Sequence, residues 1–452
     1  MDPVTLLGSW VDRAAVDDPA RARGLLCLAY SAVALKGRLT GGRGVVAAQD
    51  RCNGAIASGV VGSLRHPETS CVVNIFLPCE LLHAAGVAPM IPEVVSVYVA
   101  CTRCAEGFCE HAEAAGVPES FCSYHKLMLG MEDAGVLGPP ALVANTTLAC
   151  DANQVSFRAM AEAAGAPHFV VDVPQGTSEE DVAYVADQLR DLAATLGDVL
   201  GAEVDEDRLR EVCRRSRRTL EGVRRYCALR SRCSLPTTLT SELCLLVCTH
   251  VLLGAEAAED FVAEMVAAAE AAGAAEGAGG RGVPRVFWLH TLPNWQGAMG
   301  RIFDGAAEAE LVGNDMACDS LDVLDALDPE RPFDFMARRL VFSTSNGPAG
   351  RRVDAALARA REAGADGAVL FGHWGCKQTL GLAGVAEKAF ADAGIPLLVL
   401  SGDGCDPRNA PSGQMVTRVG AFLESLSRTP APAGAAGPAA DGPAAGGPAA
   451  GV

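Results

Sequence analysis

Four cysteines stand where chemistry gathers in α/β proteins. Cys150 lies in NTTLACDAN, just after the apolar run Ala141–Thr146. Cys376 lies in FGHWGCKQTLG after Ala368–Phe371, and Cys405 in SGDGCDPRN after Pro396–Leu400. Cys122, in FCSYHK, comes just ahead of Leu127–Gly130, at an expected helix start. In open parallel sheets, ligands collect at the carboxyl ends of strands. Thiolates are soft donors that suit iron–sulfur clusters and zinc. Three of them from separate strand ends could hold a cubane and leave one iron open, although the spacing is unlike the compact ferredoxin run. By chemistry alone, each such cysteine is more often a small buried hydrophobe. Gly372, Gly375 and Gly381 around Cys376 mark a tight turn where something approaches the main chain. Cys101, Cys104 and Cys109 form C-x2-C-x4-C with His111 nearby, a set that zinc could use. No second pair with finger spacing follows.

The elements that must position these residues are short apolar runs alternating with helices. Cys71–Leu77 stops at Pro78 and leads into helical Glu80–Ala85, closed by Gly86. Ala141–Thr146 leads into helical Gln154–Ala164, closed by Gly165, and His168–Val173 follows. Arg285–His290, Leu340–Thr344, Ala368–Phe371 and Pro396–Leu400 read as later strands. Arg351–Ala363, Leu382–Ala393 and Thr417–Leu426 read as the helices among and after them. This alternation predicts parallel sheets covered on both faces. Between the two groups, Ser178–Gly197, Asp205–Ser231 and Thr240–Gly273 read as helices without a strand, and Ala267–Gly282 as a helix end running into a linker. The fold class is therefore α/β, with two Rossmann- or flavodoxin-like parallel-sheet domains. The expected organisation is an N-terminal helical segment (1–40), a first α/β domain (41–177), a helical connector (178–282) and a second α/β domain (283–428). The stretch 429–452, built from Thr, Pro, Ala, Gly, Asp and Val alone, reads as a disordered tail. No repeat of 20–50 residues is visible, though the halves can share an architecture without one.

Composition narrows the function. The 452 residues leave room for two or three domains. A net charge of −18 argues against nucleic acid and anionic membranes as partners. Aromatics at 5% leave too few platforms for stacking on single strands. Seventeen cysteines, an odd number on a long chain, point to a reducing cytoplasm with some thiols spent on metal or redox chemistry. Leu25–Leu35 resembles a signal core but starts late and runs into Lys36. Leu243–Leu253 is too short and too polar to span a bilayer. There is no phosphate-binding G-x-x-x-x-G-K-[ST] loop and no convincing dinucleotide fingerprint. Arg210, Arg214, Arg217 and Arg224 share one helix face, and a solvated face is preferred to a CoA-phosphate or acidic-partner site.

Five ordered blocks carry a resemblance. They are PCELLHAAGVAP (Pro78–Pro89), FCSYHKLMLG (Phe121–Gly130), LACDANQVSFRAMAEAAGAPHFVVDVP (Leu148–Pro174), FGHWGCKQTLG (Phe371–Gly381) and GDGCDPRN with GQMVTRVGAFLESL (Gly402–Leu426). Over Val45–Leu426 the chain resembles the 2-hydroxyacyl-CoA dehydratases, a family that includes the benzoyl-CoA reductase subunits. The resemblance implies a [4Fe-4S] cluster between two α/β domains, held by Cys122, Cys150 and Cys376. It implies removal of water from a (R)-2-hydroxyacyl-CoA through a ketyl radical. The electron would come from a separate ATP-hydrolysing iron–sulfur activator, and a related second subunit or a homodimer would complete the enzyme. Glu80, at a position the family keeps acidic, is expected to accept a proton or orient the hydroxyl, against a plain helix-dipole role. His373 and Lys377 flank Cys376, and His125 follows Cys122; support to the cluster or contact with a substrate oxygen is the expected work. Asp151 reads as a turn or cap residue, and Cys405 as a non-ligand thiol. The alternatives are a reductase of the same family, including the double-cubane type that would use spare cysteines, and a non-catalytic partner subunit.

Overall fold

The structure is a computed structural model that describes residues 2–201, 203–275 and 282–428. The stretch read as a disordered tail, and part of the linker after Ala275, lie outside the described residues. Eight described strands make two sheets. β1 (Ser70–Val73), β2 (Ala88–Met90), β3 (Leu142–Thr146) and β4 (His168–Val171) pair in the order β2-β1-β3-β4. β5 (Arg285–Leu289), β6 (Glu310–Asn314), β7 (Gly367–His373) and β8 (Leu397–Gly402) pair in the order β6-β5-β7-β8. Every pairing is parallel. The two sheets thus share one topology despite lacking a sequence repeat.

The second sheet shows why its strands form. β7 is buried along its whole length, as a central parallel strand covered on both faces must be. Along β5, Val286 and Trp288 pack with Phe371 and Val419 on one face. Phe287 and Leu289 pack with Leu370 and Phe390 on the other. This is the two-residue alternation of a strand between two helix layers. Trp288 meets Phe303 edge-on, with ring centroids 5.7 Å apart.

The helices follow the expectations between the sheets: Glu179–Leu200, Glu206–Arg230, Leu239–Thr249 and Glu256–Ala275. The arginine face of Glu206–Arg230 is spent on ion pairs. Arg214 reaches Glu330 at 2.8 Å and Arg224 reaches Asp325 at 2.7 Å, tying this helix to the second half.

One strand expectation needs correction, and two strands have no counterpart in the sequence reading. Leu340–Thr344 is no strand: its β-branched and aromatic residues finish the helix Pro332–Val341, opened by Pro332 at its first turn. That helix buries Phe335, Met336 and Leu340 on a helical stripe, and tertiary burial overrides local β preference. β6 escaped notice because Glu310, Gly313 and Asn314 dilute its apolar run; Glu310 is buried beside Arg230 and Arg285. β2 is a three-residue edge strand containing Pro89, the one place in a sheet where proline is tolerated.

The halves are joined by a buried polar seam. Lys126 Nζ lies 2.6 Å from Glu113 and 3.3 Å from Asp406 of the second half. Ser123 Oγ donates to Asp403 Oδ1 across the same boundary. Tyr124 and Thr291 share a hydroxyl–hydroxyl bond of 2.8 Å.

Candidate functional site

The strand order reverses direction beside β1 and β3 in one sheet and beside β5 and β7 in the other, which is where ligand crevices open. Cys150 follows β3 and caps the helix Asp151–Ala164. Cys376 follows β7 and caps the helix Lys377–Asp392. Cys122 caps the helix Ser123–Asp133. None of the three makes a side-chain capping bond, so each sulfur remains available at a helix N-terminus, where negative charge is favoured. All three line a single cavity of about 930 Å³ between the halves.

Gly375 is what lets the halves meet there. Its φ is +80°, and a Cβ would stand 2.7 Å from the backbone nitrogen of Cys122. The close approach expected at this turn is therefore made by the chain segment of another proposed ligand.

Each thiol has an imidazole partner. Cys122 Sγ lies 3.3 Å from His373 Nε2, Cys150 Sγ 3.6 Å from His125 Nε2 and Cys376 Sγ 3.6 Å from His290 Nε2. The Gly404 N–H donates to His373 Nδ1 at 2.9 Å. Burial lowers the His373 pKa, so its single proton sits on Nε2 and points at the Cys122 sulfur. His125 is arranged the other way. Ser156 donates its hydroxyl to the Ala152 carbonyl and accepts from His125 Nδ1 at 2.9 Å. That leaves Nε2 as an acceptor facing Cys150, and burial holds this imidazole neutral by pushing its pKa down to about 3. His290 adopts a positive φ of 78°, rare for a non-glycine residue. Its ring lies 6.1 Å from that of His373 in a stacked arrangement.

Burial raises the Cys150 thiol to about 12 and pushes Cys122 well above its ordinary value, with Cys150 and Cys376 adding repulsion beside it, so these two thiols hold their protons. Binding of a soft metal centre would release those protons. Among the described residues, no three His, Cys, Asp or Glu side chains group closely enough for a single metal ion. Three thiols spread around a roomy cavity suit a larger, multi-iron group instead. Orphaned atoms in the same wall also mark a place built for a ligand: Glu93 Oε2, Arg352 Nη2 and His290 Nδ1 are buried without a protein partner.

The other expected residues divide. Lys377 and Asp151 both line the cavity and are exposed, Asp151 in the first turn of its helix. Glu80 does not line it. It is fully buried, bonded to Arg339 at 2.5 Å and to Ser216 at 3.0 Å, a bridge between the helical segment and the second half. Cys405 is buried behind the site, with its N–H on Asp403. Cys104 and Cys109 are buried in the core, Cys101 lines the cavity and His111 faces Asp133 at 3.7 Å, so this group does not converge.

The reading from sequence missed Glu93, His290 and Arg352. Glu93 accepts from the Ile75 N–H and stands 4.0 Å from His125 Nε2; burial raises it to about 7. Arg352, 4% exposed, holds Asp315 at 2.8 Å and Gln378 at 3.0 Å. His290 alone carried a signal, as the last residue of an expected strand. Glu93 and Arg352 lie on helices and reach the cavity only through tertiary packing.

A family model described as 2-hydroxyglutaryl-CoA dehydratase, D-component, matches residues 74–426. The chain is also similar to the (R)-phenyllactyl-CoA dehydratase alpha subunit of Clostridium sporogenes, 28% identical over 151 residues. That match covers 31% of this chain and 37% of the relative's length. No described helix is long and apolar enough to cross a membrane.

Proposed function

The chain belongs to the 2-hydroxyglutaryl-CoA dehydratase D-component family, and we propose that it is an iron–sulfur subunit removing water from a (R)-2-hydroxyacyl-CoA to give the 2-enoyl-CoA. A separate ATP-dependent iron–sulfur activator supplies the electron, and a related subunit or second copy completes the enzyme in an anaerobic cytoplasm. The observation that supports this reading is the convergence of Cys122, Cys150 and Cys376, from three helix N-termini and both halves, on one cavity.

These three thiolates would hold a [4Fe-4S] cluster. When bound, it supplies a one-electron donor and a Lewis-acidic iron. The chain's own groups do the rest. His373 donates its Nε2 proton to the Cys122 sulfur and offsets charge there. Arg352 offers its free Nη2 to the thioester oxygen, which gains negative charge on reduction. Glu93, with an unpartnered Oε2 in the cavity wall, takes the β-proton and returns it to the departing 2-hydroxyl, which leaves as water. The proton-accepting role read for Glu80 passes to it, because Arg339 already occupies Glu80 away from the cavity. Lys377, exposed at the rim, meets a substrate oxygen. The apolar walls exclude water that would compete for the enoyl product.

Iron and acid-labile sulfide per chain, measured on protein purified without oxygen, test this reading. About four irons, lost in each of Cys122→Ser, Cys150→Ser and Cys376→Ser, is the expected result. Turnover of a 2-hydroxyacyl-CoA should then require the activator. Iron-free folded protein would overturn the reading; about eight irons would move it to the double-cubane type.

A further inference from the structure

We infer that the acyl chain accepted here is bulky and uncharged, and that dicarboxylic chains are excluded. This rests on the function proposed above and concerns the end of the cavity remote from the thiols.

The helix Pro92–Cys101 forms one long wall. Glu93, Val97 and Cys101 line the cavity from successive turns, so the wall extends about 12 Å beyond the neighbourhood of His125. Tyr30 and Val33 from Pro19–Leu39, Ile56 from Val45–Arg65 and Leu246 from Leu239–Thr249 add apolar surface to the same cavity. The two tyrosine hydroxyls on this side are already engaged. Tyr98 Oη donates to Asn53 Oδ1 at 2.5 Å, and Tyr30 Oη shares a 3.2 Å bond with Thr102.

Charge decides the chemistry. Among the described lining residues the lysine and arginine cations are Lys377 and Arg352. Both belong to the thiol end: Lys377 follows Cys376 in the chain, and Arg352 bonds Gln378 beside it. Arg103, beside Cys101, lies over the Trp295 ring and does not line the cavity. A carboxylate at the far end of an acyl chain would therefore lose its water with no lysine or arginine lining the cavity to pair it, a cost that drives binding away. A phenyl or branched alkyl group gains by burial against the same wall. A cavity of about 930 Å³ has room for it.

The test compares three CoA thioesters binding to the full-length, metal-loaded protein under anaerobic calorimetry. The probes carry (R)-2-hydroxy-3-phenylpropanoyl, (R)-2-hydroxypropanoyl and (R)-2-hydroxyglutaryl groups. The phenyl ester should bind at least ~100-fold more tightly than the glutaryl ester. Val97→Phe and, separately, Ile56→Phe should weaken the phenyl ester at least ~10-fold by filling the arm, and leave the short ester unchanged. Retained binding of the short ester also reports that each variant is folded. Equal affinity for glutaryl and phenyl esters overturns the inference, as does equal weakening of long and short esters in both variants. Binding of none of the three overturns the proposed function itself, and this inference with it.

Discussion

The two halves repeat one sheet order, yet they furnish the site differently. Each sends a cysteine from the loop after its third strand in sequence, Cys150 after β3 and Cys376 after β7, and each of these caps the next helix. There the correspondence ends. The third thiol, Cys122, opens a helix between β2 and β3, whereas the α-helices between β6 and β7 open at Pro332 and Ala349, and Cys318 in the same stretch does not line the cavity. The second half contributes imidazoles instead, His290 after β5 and His373 at the end of β7. A doubled scaffold delivers matched donors in pairs. An odd number of donors, with one side left open, requires that the symmetry be broken.

The largest expected effect breaks the seam between the halves. Lys126→Met leaves Asp406, fully buried, with Arg408 as its remaining cation. We expect a loss of about 3 kcal/mol, the low end for a broken buried pair because Arg408 still compensates Asp406, read by chemical denaturation; an unchanged midpoint would mean the halves are held elsewhere. Gly375→Ala comes next. It forces a side chain onto a positive φ and into the Cys122 backbone, at a cost of about 1–3 kcal/mol. A Tm equal to the native one would deny that close approach.

The imidazoles sharpen the contrast. His373 donates to its sulfur, and His125 accepts. His373→Ala should speed loss of iron to a chelator ~10–100-fold, with a smaller change for His125→Ala. The reverse order would show that the assigned tautomers are wrong. The smallest effect concerns Glu132, on the Cys122 helix that has no partner thiol in the other half. Burial lifts its carboxyl from the ordinary 4.5 to about 7. A raised carboxyl contributes stability below its unfolded pKa and loses that contribution as the pH rises through the folded value. Glu132→Gln should therefore match the native protein near pH 4 and melt higher at pH 8. A constant difference across that range would remove the burial argument.

Much of the frame was legible in the residues. β3, β5, β7 and β8 announced themselves as short β-branched or aromatic runs, closed by glycine or followed by an amphipathic helix. Sites at strand ends follow from parallel topology, so the placement of Cys150 and Cys376 at one crevice could be read from it, while a ligand role for them came only from the resemblance. LVFST misled because the composition of a short run does not separate a helix end from a strand. The place of Glu80 could not be read because an acidic residue beside a strand end reveals nothing about whether an arginine 259 positions later will pair with it.

The sequence by itself determined the alternation of strands and helices, the position of Cys122 at a helix start and of Cys150 and Cys376 after strand ends, and the net charge of −18. These depend on composition or on neighbours within a few residues. Only the tertiary structure decided which carboxylate faces the cavity, which nitrogen of each histidine meets sulfur, and that Arg352 keeps one edge free. Each of those is a matter of burial and of hydrogen bonds between residues tens to hundreds of positions apart, and local patterning does not encode where such partners meet.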